Sequence, residues 1–121
     1  MTGFLRIALL SVACALPGTA FAQSRAYDGH WSLSLVTLRG DCSPHSFHVH
    51  INDGVVILPM MISGTGRVTP IGFVTMTISA LGRKASGTGR LAKASGGGRW
   101  VEVATGQKCA GRWTAARWSS S

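Results

Sequence analysis

The chain has 121 residues, carries 12 Lys and Arg against 4 Asp and Glu, and has a formal net charge of +8 at pH 7. Hydrophobic residues make up 45% of it, which argues against disorder despite many glycines, and the length suits one domain. The basic excess favours anionic partners and leaves the fold open.

Met1 to Arg6 is a short basic start, Ile7 to Leu16 an apolar run, and Ala20-Phe21-Ala22 a small-residue ending. This is the pattern of a secretory signal peptide cut between Ala22 and Gln23. The apolar run is far shorter than the roughly 20 residues of a spanning helix. Ser11-Val12-Ala13-Cys14 also resembles a lipoprotein signal. Ser11 stands where that signal prefers Leu, and the Ala-x-Ala ending beyond Cys14 favours ordinary cleavage. The expected organisation is therefore a cleaved leader over 1–22 and a single β domain over 23–121, periplasmic or secreted, with no membrane span. Loss of Arg6 leaves the mature chain at +7.

After the leader, short apolar runs alternate at period two between turn residues. His30 to Leu38 reads as a first strand, with Trp31, Leu33 and Leu35 on one face. Ser46 to Ile51 is a second, with Phe47, Val49 and Ile51 inward. Asn52-Asp53-Gly54 is a hairpin signal, and Val55 to Ile62 a third strand, with Pro59 marking an edge or bulge. Gly66 to Thr69, Phe73 to Ala80 and Lys84 to Lys93 follow. Ser95 to Gly98 reads as a loop, and Arg99 to Ala104 and Cys109 to Trp118 as the last strands. The expected fold is all-β: an antiparallel meander of about eight short strands.

Cys42 and Cys109 are the only thiols left after cleavage. An even count in an exported chain reads as a disulfide. In an even-stranded barrel, the end of the first strand lies beside the start of the last, so this bridge would staple the closing seam. The pattern thus points to a closed barrel, although a sandwich also accommodates the bridge. Ser63-Gly-Thr-Gly-Arg67 recurs as Ser86-Gly-Thr-Gly-Arg90, an echo too short for a solenoid.

Two constellations carry candidate chemistry. His48 and His50 project from one strand face, with His45 nearby and His30, Asp41 or Asp53 available to complete a set; such imidazoles suit Zn²⁺ or Cu²⁺. Arg67, Arg90, Arg99 and Arg112 each follow glycine, and their planar forks suit phosphate or carboxylate. Trp100 and Trp113 lie beside two of these arginines in sequence, on the opposite strand face, where they read as core. No Ser-x-x-Lys, Gly-x-Ser-x-Gly, His-Glu-x-x-His or phosphate-loop motif occurs.

Tyr27-Asp28-Gly29-His30-Trp31-Ser32, Gly40-x-Cys42 and Cys109-Ala-Gly111-Arg-Trp113-Thr-Ala-Ala-Arg117 together resemble a group of small exported proteins of rhizobia-related bacteria. The resemblance spans nearly all of the mature chain; it implies export and brings no activity with it. Gly29-x-Trp31 is also similar to the opening of lipocalin and avidin barrels. The residues favour an exported, non-catalytic binding module. Its partner would be an anionic or glycan-like ligand, such as a glycan or glycolipid, or another exported protein that it inhibits. No cofactor is expected on this reading. The alternatives are a metal-binding protein using His48 and His50, and a small hydrolase without a recognisable motif.

Overall fold

The computed structural model describes residues 25–80, 82–103 and 109–120. The leader assigned to 1–22 lies outside the described residues, as does Ala104, the expected end of the seventh strand. Eight antiparallel strands close into a barrel in chain order: β1 (Gly29–Arg39), β2 (His45–Asn52), β3 (Val55–Ile57), β4 (Ser63–Val68), β5 (Phe73–Ala80), β6 (Arg83–Leu91), β7 (Ser95–Glu102) and β8 (Ala110–Ser119). The expected meander is therefore present, and it closes as a barrel.

Alternation places one side chain of every pair in the interior. Trp31 and Leu33 of β1, Val49 and Ile51 of β2, and Trp113 and Ala115 of β8 are buried there together with Trp100 of β7. The Asn52 to Gly54 turn forms as expected, with Asp53 at φ 56° and Gly54 at 77°. Asp28 clamps this turn by accepting the Asp53 N–H at 2.9 Å on each carboxylate oxygen. At the same end, Arg117 lies over the Trp31 ring, 5.4 Å from its centroid. It donates to the carbonyls of Asp28 and Lys93.

Three strand boundaries differ from the sequence expectation by three residues or more. β3 stops at Ile57 rather than Ile62, because Pro59 has no N–H to extend the ladder; the Ile62 N–H instead donates to the Pro59 carbonyl at 3.0 Å. β4 begins at Ser63 rather than Gly66. The Ser95 to Gly98 segment is not a loop: it is the first half of β7, with Gly96 paired to Leu91 and Ala115, and Gly98 to Gly89 and Trp113. Ladder bonds on both sides hold a segment whose composition has almost no strand propensity.

The small residues of β6 and β7 have a packing role. The indole of Trp113 crosses the interior, and its Nε1 donates to the Thr88 carbonyl at 3.1 Å. A Cβ on Gly89 would lie 2.5 Å from Cζ2 of that indole and would overlap the Gly97 carbonyl. Gly89→Ala should therefore lower stability by about 2 kcal/mol in urea unfolding, the scale of overpacking a core. An unchanged midpoint would mean that the barrel makes room for a methyl group at no cost.

β1 makes the seam with β8, pairing from His30–Ser119 to Arg39–Ala110. Cys42 and Cys109 are bonded across its end, with Cα atoms 6.1 Å apart and a sequence separation of 67. A loop of that length corresponds to about 4 kcal/mol of denatured-state entropy. The Cys42→Ser/Cys109→Ser protein should lose about that much stability in denaturant melts without added reductant. A loss below ~1 kcal/mol would show that the ladder alone holds the seam.

Candidate functional site

The barrel interior is filled. A void at the disulfide end, between Leu35, Phe47, Met76, Ile78 and Trp100, offers about 30 Å³. That is room for one or two water-sized groups. Among the described residues, polar chemistry sits at the two ends of the barrel and on its outer face.

At the disulfide end, Glu102 follows Gly98 and Trp100 on the inward side of β7, and its side chain is only 5% exposed. Arg83 donates to it from Nε at 2.9 Å and from Nη2 at 3.3 Å, and the same Nη2 reaches Cys42 Sγ at 2.9 Å. The Cys109 N–H also donates to the carboxylate, at 3.4 Å. Oxygen and both sulfurs lie within 4.8 Å of one another. With the sulfurs joined, this group offers a metal only a carboxylate that Arg83 already engages. Sequence reasoning missed the cluster, although an acid at an inward position beside Trp100 is a legible signal of a buried, partnered charge.

The hydrogen bonds from Arg83 hold the Glu102 carboxyl below its ordinary value of 4.5, against the opposing effect of burial; the Cys109 N–H and the guanidinium charge add to the lowering. A carboxyl lowered on folding contributes stability above its unfolded value and loses it as pH falls through the folded one. The stability gap between the natural protein and Glu102→Gln should be widest at pH 7 and shrink below pH 4.5. Thermal melts across that range decide it; a gap independent of pH would remove the carboxylate charge from the account.

The histidines divide. His48 and His50 project outward from β2, as the spacing implies, whereas His45 has the inward parity of Phe47 and pairs with Leu35 at the far end of the strand. Asp53 is at the opposite hairpin, paired with Arg25 at 3.6 Å, and Asp41 is exposed in the β1–β2 loop. His30, opposite His50 in register, is the residue the fold brings to the pair. The His30 and His50 rings stack 4.4 Å apart with planes 13° from parallel. Ring lone pairs lie in the ring plane, so in this packing they do not converge on one ion.

Trp118 completes a four-ring cluster across β2, β1 and β8, its centroid 5.0 Å from His30 and 5.8 Å from His48. It occupies a register shift: Arg117 pairs with Trp31 and Ser119 with His30, leaving Trp118 between them. Alternation along β8 from Arg112 and Thr114 places its indole on the outer face, where it is 59% exposed.

The arginines also sort by register. Arg112 pairs with Arg99, Arg99 with Thr88, Thr88 with Thr75, and Thr75 with Arg67. Three of the four candidates therefore stand in one lateral row on the outer face, spaced by threonine hydroxyls. Arg90 lies outside the row, opposite Phe73; it stacks 5.6 Å over that ring and donates to the Ile71 carbonyl. The ion pairs Arg25–Asp53 and Arg83–Glu102 engage acids elsewhere, and none of the four arginines makes an ion pair among the described residues. No family model matches the chain, and neither the curated proteins nor the solved structures contain a significant match.

Proposed function

We propose that the protein is an exported, non-catalytic binding module whose arginine row holds an anionic ligand on the outside of the barrel. The observation that carries this is the Arg99–Arg112 pair. Like charges directly opposite on neighbouring strands destabilise a sheet, and among the described residues no carboxylate pairs with them. A carboxylate or phosphate bridging the two guanidinium forks removes that repulsion and is held by charge-assisted hydrogen bonds. Thr88 and Thr75 extend the row with neutral donors toward Arg67. The filled interior supports the same reading, since it leaves the outer face as the surface able to take a ligand.

Structural and ligand-binding arginines respond differently to deletion. Arg112→Ala should weaken binding of inorganic polyphosphate about tenfold, the scale of losing one charge-assisted contact. It should leave the thermal midpoint of the free protein unchanged or raised. The natural protein should itself bind more weakly as salt screens the row. Titration calorimetry at two salt concentrations, with melts of both proteins, tests this. A lowered midpoint with unaltered binding would assign Arg112 to the fold.

A further inference from the structure

We propose that the anion-binding row is one end of a longer track that takes an acidic polysaccharide, with a sugar ring seated on Trp118. This rests on the anion-binding reading of Arg99 and Arg112 and extends it along β8. Arg112 and Trp118 both face outward from β8, six positions apart and so about 20 Å. The surface between them carries small side chains. Thr114 pairs with Ser34, and Ser34 with Ser46, while Ala116 pairs with Ser32. Ser34, Ser46 and Thr114 are exposed. Ser46 and Ser34 hydroxyls are joined at 3.3 Å, so the floor carries small side chains, bounded by His48 opposite Ser32 and by the exposed Val36 opposite Arg112.

Each part of this strip matches one part of an acidic glycan. The exposed indole is an apolar plate with a polar N–H at its edge, suited to the C–H face of a pyranose. The histidine rings beside it supply hydrogen-bonding nitrogens at the plate's margin. The hydroxyl floor suits sugar hydroxyls, and the guanidinium pair suits the carboxylates that such a chain repeats. A single-stranded nucleic acid fits less well, since it uses successive free ring faces. Here His30 and His50 are stacked on each other, and the other exposed apolar ring, Phe73 on β5, lies under Arg90, so Trp118 is the plate that this strip offers.

Trp118 reports on itself. The other three tryptophans, Trp31, Trp100 and Trp113, are 0%, 8% and 4% exposed, so acrylamide quenching of the purified protein reads mainly Trp118. Polygalacturonate, inorganic polyphosphate, dextran and an oligothymidylate serve as probes. Polygalacturonate should protect the fluorescence from quenching. Trp118→Ala should bind it about tenfold more weakly, the scale of losing one aromatic anchor, while keeping its affinity for polyphosphate. Trp118→Phe should recover most of the loss. Polygalacturonate binding indifferent to Trp118, with polyphosphate still dependent on Arg112, would overturn the track and leave the arginine row standing. Trp118-dependent binding of oligothymidylate in preference to polygalacturonate would overturn the glycan assignment. Trp118-dependent binding of dextran as tight as that of polygalacturonate would overturn its acidic character. Absence of binding to either anionic polymer without bases would overturn track and row together.

Discussion

Three indoles packed inside a small barrel constrain almost everything else in this protein. Trp31, Trp100 and Trp113 occupy the interior, and protein cores tolerate neither overlap nor void. The strands facing them must therefore give up volume, which explains the glycine-rich β6 and β7. Each indole N–H also needs an acceptor once out of water. Trp31 finds the Tyr27 carbonyl at 2.9 Å, Trp113 that of Thr88, and Trp100 those of Val36 and Arg112. These bonds tie the side chains to the wall and help set the register between strands.

On the binding reading we propose, ligand contact falls on the outer face, because packed side chains occupy the interior. Gly29-x-Trp31 is similar to the opening of ligand-holding barrels, yet here the tryptophan is part of a plug rather than the floor of a cavity. What remains for recognition is the outer face, where β4 to β8 carry arginines, threonines and serines. The acids are concentrated elsewhere: Asp28 and Asp53 at the β2–β3 turn, Glu102 against Arg83. Charge segregation of this kind follows from the ends of the barrel needing acids for turns and for the disulfide cluster, while the outward arginine row has no such structural demand.

Much of the wall was legible in the residues. Period-two alternation correctly assigned the inward faces of β1 and β2, because one-sided burial makes side-chain parity a direct record of the fold. Cys42 and Cys109, placed at the end of one strand and the start of the last, anticipated the stapled seam. Ser95 to Gly98 failed for the opposite reason: a strand whose side chains are withdrawn to admit Trp113 shows no alternation. Pro59 signalled an interruption, but composition alone did not show that β3 ends there.

The sequence by itself determined which residues can be core, which turns can form and that two cysteines must meet, since these follow from side-chain volume, backbone freedom and pairing. It also supplied the candidate arginines and histidines. Only the tertiary structure decided which of them are neighbours. Cross-strand register set Arg99 beside Arg112 and His30 beside His50, and the pairing of β8 with β1 placed Trp118 beside the histidines. Register is a property of pairs of strands distant in the chain, and the closing geometry of the barrel, rather than any local signal, selects it.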